Sequence, residues 1–379
     1  MDIYDELGVK KYINAYDTMT MYGSTIMDDD VLKASEDAQK YLVDINELQD
    51  KLGKKIAEIT HNEAAYVTTG ASMGISLCMA ACMSEGDMYK LSILPDTSNM
   101  KNEVIIMRSQ RNPYDKAIEL PGAKLIEIGN LARTFDYELE GVINEKTAAV
   151  YFIKASNYAK ANLELEKVIE IAHKHNVPVI MDAAAQLPPK ENLWKFTNMG
   201  VDAVCFSGGK GIKGPLGTGF ILGKQWIIDA AKKVGFPNRG ICRGGKVSRE
   251  DMVMAYLALK KYVSMTNEEY DTQLRNRVNY FVDNLRNNLL FEAGVEEIGP
   301  VGQIYPRVKV KLVNTKYNTE EFVAAVKNGE PGILLGLPLQ KPYDVFYINP
   351  MTLIDDQLEI VLTQINKIAE ELNKWKKKE

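Results

Sequence analysis

Histidine is nearly absent from this chain of 379 residues, which holds only His61, His173 and His175. Three imidazoles so spaced give no metal-ligand pattern, so no metal is expected, and a Ser–His–Asp hydrolase has little raw material. His173 and His175 read as the end of an amphipathic helix, where a cation meets the negative end of the dipole. Cysteine is scarce too. Cys78, Cys82, Cys205 and Cys242 form no CxxC pair and have no neighbouring histidine cluster. Cys78 and Cys82, four apart in an apolar helical stretch, read as one buried face. No run reaches 18 uninterrupted apolar residues, so no membrane-spanning helix is expected. The acidic start Met1-Asp2-Ile3-Tyr4-Asp5-Glu6 lacks a signal-peptide apolar core, and the chain is expected to be cytoplasmic. Excess positive charge is missing as well: 46 Lys and Arg face 51 Asp and Glu, a net charge of −5. A nucleic-acid partner is therefore not expected.

What is present is ordinary globular material, 46% hydrophobic and 26% charged. The length suits two or three domains with a core that needs no staples. Between residues 56 and 223, short apolar runs alternate with helical periods. The runs 64–68, 104–107, 124–128, 148–153, 177–181, 203–206 and 219–222 read as strands; 71–84, 112–120 and 163–175 read as helices. Strands apolar throughout and separated by helices predict a mostly parallel sheet covered on both faces. Beyond about residue 245 the texture changes. Ser248-x-x-Asp251 and Thr266-x-x-Glu269 look like capping boxes that open two long helices. An alternating segment 304–313, a helix opened by Asn318-x-x-Glu321, a strand 345–348 and a last helix from about Asp355 make a smaller α+β domain. The basic run 374–378 reads as a solvated helix end. The expected division is 1–55, a helical segment packing with the small domain; 56–245, the large domain; and 246–379, the small domain.

Three segments carry chemistry. Phe206-Ser207-Gly208-Gly209-Lys210-Gly211-Ile212-Lys213-Gly214-Pro215 contains Gly209-x-Gly211-x-x-Gly214, the spacing of a dinucleotide fingerprint. A true fingerprint opens a helix, whereas Pro215, Gly217 and Gly219 lead into another strand. What remains is a lysine at a strand's carboxyl end, fenced by glycines, where it can lose solvation and act as a nucleophilic amine. Asp182 follows the apolar run 177–181, a costly position for a carboxylate without a positive partner. The protonated ring nitrogen of pyridoxal phosphate is such a partner. Thr68-Thr69-Gly70-Ala71-Ser72-Met73-Gly74 joins a strand to a helix with small residues, whose N–H groups and hydroxyls suit a dianionic phosphate. Phosphate cup, ring-nitrogen carboxylate and lysine occur in that order, each at the end of an expected strand.

In order and local wording the chain resembles fold-type I pyridoxal-phosphate enzymes, and more narrowly the group related to bacterial selenocysteine synthase (L-seryl-tRNA selenium transferase). The residues that carry the likeness are Gly8-Val9-Lys10-Lys11-Tyr12-Ile13-Asn14-Ala15, segments 68–74 and 95–104, Arg111-Asn112-Pro113-Tyr114-Asp115, segments 182–189 and 206–215, and Arg243-Gly244-Gly245-Lys246-Val247, with Ser207-Gly208-Gly209-Lys210-Gly211 and Asp182-Ala183-Ala184-Ala185 the specific parts. The likeness covers nearly the whole chain. Its layout is similar to the D-glucosaminate-6-phosphate ammonia-lyase branch, which begins at the Gly8 segment, whereas selenocysteine synthases carry a further N-terminal tRNA-binding domain.

The resemblance implies a large α/β domain of the fold-type I transferase class, with pyridoxal 5'-phosphate as cofactor. By it Lys210 is the Schiff-base lysine and Asp182 the partner of the ring nitrogen. Thr69, Gly70, Ala71, Ser72, Gln110 and Ser207 are the further cofactor contacts. Asn14, Thr18, Thr20 and Tyr22 line the entrance, and Arg108, Arg111, Arg239, Arg243 and Lys246 are candidate binders of substrate anions. The expected reaction is α-proton abstraction and β-elimination on a small amino acid, such as a phosphorylated amino-sugar acid, giving a 2-keto acid and ammonia. Racemisation, aldol cleavage and transamination start from the same chemistry and stay open. A tRNA-dependent transferase and a non-catalytic binding relative rank lower. The partners expected are a small-molecule substrate and a second copy of the chain, in a homodimer or higher oligomer. Three positions depart from the group: Gln110 stands where relatives often have His, Gly336 where many have Arg, and Gly217-Thr218 where Ser-Ser is more usual. They bear on the substrate rather than on the cofactor.

Overall fold

A computed structural model of the chain describes residues 2–154 and 161–375. Of the basic run 374–378, residues 376–378 lie outside this range. The strands are β1 (Tyr12–Ala15), β2 (Ala64–Thr68), β3 (Glu103–Met107), β4 (Lys124–Ile128), β5 (Thr147–Ile153), β6 (Val179–Asp182), β7 (Ala203–Ser207), β8 (Gly219–Gly223), β9 (Phe291–Ile298), β10 (Ile304–Leu312), β11 (Gly332–Leu335) and β12 (Val345–Ile348). The chain divides into two compact units. One comprises residues 27–264, the other residues 1–26 with 265–379.

The larger unit is built on a seven-stranded sheet of order β2-β8-β7-β6-β5-β3-β4. Every pairing from β7 to β4 is parallel, and only β8 runs against its two neighbours. The inner strands are largely apolar because helices cover both faces, whereas the edge strand β4 exposes Lys124 and Glu127. The Gly70–Ser84 helix is apolar all round and almost wholly buried, packed on β7 and β8 on one side and on the Gln225–Val234 helix on the other. A helix with no polar face belongs in a core, and this one supplies much of it.

Two boundaries differ from the sequence expectation. Residues 27–55 join the larger unit instead of the small domain, and form two helices, Asp29–Gln39 and Ile45–Ile59, not one. The second packs on β2, where the Gln49 amide donates to the Val67 carbonyl (2.9 Å). The Arg249–Ser264 helix, expected in the small domain, also belongs to the larger unit. It packs against both of these helices, with Lys261 Nζ 2.7 Å from Asp28 and 2.9 Å from Asp30.

The smaller unit contains the antiparallel sheet β12-β10-β9 and the parallel pair β1-β11. Its core joins Ala15, Phe281, Val308, Val310, Phe322, Phe346 and Val361. The expected capping box at Thr266/Glu269 is complete, as is that at Asn318/Glu321, while at Ser248, in the larger unit, the bond found among the described residues runs from Asp251 N–H to Ser248 Oγ (3.0 Å).

Candidate active site

Since β2, β3, β5, β6 and β7 run the same way, their carboxyl ends meet at one edge of the sheet, where ligands bind in open α/β folds. At the end of β2 the chain turns into the Gly70–Ser84 helix through Gly70, at φ +70°. The first N–H groups of any helix lack an intrahelical acceptor. Here Thr69 makes no capping bond, and no side chain among the described residues supplies one. Thr69 Oγ1 donates instead to the Lys246 carbonyl (2.9 Å), and Thr68 Oγ1 to the Gly70 carbonyl (2.8 Å). Gly219 on β8 allows close backbone approach: a Cβ there would lie 2.5 Å from Gly70 C and 2.7 Å from Ala71 N. The result is an open helix N-terminus on a rigid floor, with Ser72 exposed beside it.

Asp182 closes β6 and is 8% exposed. One carboxylate oxygen accepts from the Ala184 N–H (2.8 Å) and the other from Tyr151 Oη (3.2 Å). Burial pushes its pKa above the ordinary carboxylate value, against the opposing pull of the Ala184 N–H, the Lys210 charge and Tyr151. Tyr151 is fully buried on β5, and its own hydroxyl is pushed well up by burial and by Asp182. Sequence reasoning missed this tyrosine. The one available signal was a hydroxyl-bearing ring in the apolar run 148–153.

Ser207 ends β7, and the loop to β8 folds tightly back on it. Gly208 N–H donates to the Thr218 carbonyl (2.8 Å), and Gly214 N–H to the Gly208 carbonyl (2.8 Å). Lys210 is partly buried in this loop. Gln110, fully buried beyond β3, accepts the Ile153 N–H on Oε1 (2.9 Å), while its Nε2 has no partner among the described residues.

These groups fit pyridoxal phosphate. The uncapped helix can take the phosphate, and Asp182, with no cation at ion-pair distance among the described residues, can take a protonated ring nitrogen. Lys210 can offer the amine.

The other expected residues divide. Arg111 is committed to Asp115 (2.5 Å) and to Glu127, which also binds Arg108 (2.8 Å), so its charge is already balanced. Arg243 lies over the Phe236 ring, 5.0 Å from its centroid. Lys246 and Arg239 are exposed. Asn14, Thr20 and Tyr22 belong to the smaller unit. The Asn14 amide is used up locally, donating to the Asp17 and Ser24 carbonyls and accepting from Tyr16 N–H. Thr20 is exposed, and Tyr22 Oη accepts from Lys327 Nζ (3.0 Å).

Comparison with known proteins agrees with this geometry. The Aminotransferase class-V family matches residues 37–241. D-glucosaminate-6-phosphate ammonia lyase of Salmonella typhimurium is 30% identical over 375 residues, 97% of this chain and 98% of that protein. A solved structure of D-glucosaminate-6-phosphate ammonia-lyase matches with a TM-score of 0.84 at 29% identity, covering 98% of this chain and 99% of its own. An L-seryl-tRNA(Sec) selenium transferase of Maridesulfovibrio salexigens is 23% identical over 364 residues, 84% of this chain and 71% of that protein. The chain belongs to the aminotransferase class-V family and is a pyridoxal-phosphate-dependent lyase of fold type I.

Proposed function

We propose that this enzyme eliminates ammonia from a phosphorylated amino-sugar acid, D-glucosaminate 6-phosphate or a close analogue, to give the 2-keto-3-deoxy acid. The observation that carries this reading is the intact set of Lys210, Asp182 and the open helix end at one sheet edge. It occurs in a chain whose similarity to an ammonia-lyase runs end to end.

Bound pyridoxal phosphate supplies an electron-poor ring that spreads charge from the substrate's α-carbon. The N–H groups of Gly70, Ala71 and Ser72, with the Ser72 and Ser207 hydroxyls, would hold its phosphate. Asp182, aimed by Ala184 and Tyr151, would keep a proton on the ring nitrogen. Lys210 would anchor the cofactor through its amine, then yield that place to the substrate amine and take the α-proton. The β-hydroxyl leaves with a proton as water, and hydrolysis of the released enamine consumes one water and frees ammonia. Gln110 is an amide and carries no proton between steps, so proton traffic falls to Lys210. Arg243 and Lys246 are the proposed anion binders, because Arg111 already has two carboxylates.

A homodimer is part of this reading. Tyr41, Leu42 and Val43 are 72%, 89% and 48% exposed, an apolar run that a second copy would cover. A cytoplasmic location agrees with four free, buried cysteines.

The test is a panel of D- and L-amino acids and amino-sugar acids, scored for ammonia, keto acid, aldehyde and stereochemical inversion. Ammonia and keto acid in equal amounts from the phosphorylated amino-sugar acid are expected. Inversion without ammonia would replace the lyase reading with a racemase, aldehyde release with an aldolase, and a need for a keto-acid acceptor with an aminotransferase.

A further inference from the structure

Tyr151 puts a hydroxyl into an apolar layer. It stands opposite Ile180 in the register of β5 and β6, and Ile153 stands opposite Asp182. Alternate residues of a strand share a face, so Tyr151, Ile180 and Asp182 point the same way, joined by Cys205 opposite Asp182 on β7. The core on this face sets Ile106, Ala149 and Ile180 against the buried Gly70–Ser84 helix, which carries no charged residue. A phenylalanine would fill such a place without the cost of burying a hydroxyl. Among the described residues that hydroxyl has one partner, Asp182 Oδ2 at 3.2 Å, two residues up the neighbouring strand from Ile180.

The other Asp182 oxygen takes the Ala184 N–H (2.8 Å), so the two bonds together fix the plane of the carboxylate. A buried carboxylate tends toward its neutral form, and a neutral acid is no counter-ion for a protonated ring nitrogen. A hydroxyl that donates to it favours the ionised form, and out of water such a bond counts for more. The titratable groups that face the pair from the surrounding elements are few. Cys205 is a thiol 3.9 Å from the Cys78 thiol of the helix, Asp115 acts on the Tyr151 hydroxyl as a like charge, and Lys210 favours the ionised carboxylate. The Lys210 amine changes its bonds during turnover, whereas Tyr151 is locked in the core and keeps its place.

We propose that Tyr151 is a positioning residue that holds Asp182 ionised and in one orientation throughout turnover, and so fixes how firmly the cofactor's ring nitrogen keeps its proton. This rests on the reading of Asp182 as the partner of that nitrogen.

Tyr151→Phe removes the hydroxyl and leaves the ring that packs the core. In one arm the cofactor-free wild type, Tyr151→Phe, Asp182→Asn and the double variant are unfolded in urea from pH 4 to 7. A carboxyl group whose folded pKa lies above its unfolded value loses stability as pH rises between the two. Without the hydroxyl the folded value rises further. Tyr151→Phe should therefore lose more stability than wild type over this range, and the extra loss should vanish in the Asp182→Asn background. In the other arm the holoenzymes carry pyridoxal phosphate labelled with nitrogen-15 in the ring, whose chemical shift reports protonation of that nitrogen. Tyr151→Phe should move the signal toward the unprotonated position, with the ratio of protonated to unprotonated forms down about 10-fold. Should Tyr151→Phe not fold, 3-fluorotyrosine at position 151, a stronger donor, should move both readouts the opposite way.

A ring signal that Asp182→Asn moves and the change at Tyr151 leaves in place would overturn the assignment. If Asp182→Asn also leaves the signal in place, the ring-nitrogen reading of Asp182 fails and the unfolding arm alone decides. A pH slope altered at Tyr151 only while Asp182 is present then supports the tyrosine as the residue that holds this carboxylate. An equal slope removes it.

Discussion

The helices Asn267–Leu285 and Gly70–Ser84 begin on opposite plans. The first is closed by its own side chains: Glu269 N–H donates to Thr266 Oγ1 (3.1 Å) and Thr266 N–H to Glu269 Oε2 (2.7 Å). The second has two threonines in reach of its start, but Thr69 turns its hydroxyl to the Lys246 carbonyl and Thr68 to the Gly70 carbonyl, so both act there as donors. A capping bond stabilises a helix by about 1 kcal/mol. An end that forgoes it, at the edge where Asp182 and Lys210 also stand, leaves N–H groups that suit an anion. Other helices, such as Asp29–Gln39 and Gln225–Val234, also start without a capping bond from the residue before them; what sets the Gly70–Ser84 start apart is its place at the sheet edge with Asp182 and Lys210.

Changes at the open edge are expected to separate function from stability, and changes at the closed start to do the reverse. The largest effect belongs to Lys210→Ala, with turnover down by at least about 1,000-fold from the loss of the amine as nucleophile and base. Thermal unfolding of the cofactor-free protein should be unchanged, and a drop there would make Lys210 structural. Asp182→Asn should lower kcat by about 100- to 1,000-fold by removing the buried charge opposite the ring. Its effect on the cofactor-free fold has the other sign. Burial holds the folded-state pKa of Asp182 above its unfolded value, so this carboxylate costs stability as pH rises out of the ordinary carboxylate range. Urea titrations from pH 4 to 7 should show the Asn variant losing less stability than wild type.

Thr69→Asp tests the comparison most directly, because it gives the open helix a cap of its own. The cofactor-free protein should gain about 0.5–1 kcal/mol while affinity for pyridoxal phosphate falls about 10-fold or more, read by equilibrium dialysis. Tighter cofactor binding in this variant would sink the phosphate-cup reading. The smallest effect is that of Thr266→Ala, a loss of about 1 kcal/mol in the urea unfolding free energy with kcat and KM unchanged.

Elements whose cause is local were legible in the sequence. The apolar runs of the large sheet, the Thr266 and Asn318 boxes and the strand-then-small-residue pattern at 68–74 are each written in a few adjacent residues. What needs a distant partner was not. The Arg249–Ser264 helix reads like any capped amphipathic helix, and distant partners tie it to the larger unit: Lys261 meets Asp28 and Asp30, and Arg249 Nε donates to the Ala38 carbonyl (3.1 Å). Within the site, Lys210 and Asp182 stood out because their neighbours in sequence are diagnostic. Tyr151 did not, since a tyrosine in a buried strand declares nothing until the register places it beside Asp182. Arg111 looked like a free cation, and its pairing with Glu127 on β4 is invisible before the sheet is assembled. Asn14 sat in a matching motif, yet its amide closes a turn.

The one strand that runs backwards has a consequence for size selection. Thr68, Gly219 and Ser207 lie in one row across β2, β8 and β7, so β8 stands as a spacer between the strand that leads to the helix end and the strand that leads to the lysine. The two neighbouring strands are held two sheet spacings apart, about 9–10 Å. The loop that carries Lys210 is the same chain that turns into β8, so the two grips cannot drift independently. The sheet thus works as a fixed gauge. A molecule is held at both ends only when its anionic group and its reactive carbon are separated by the span that this single strand imposes.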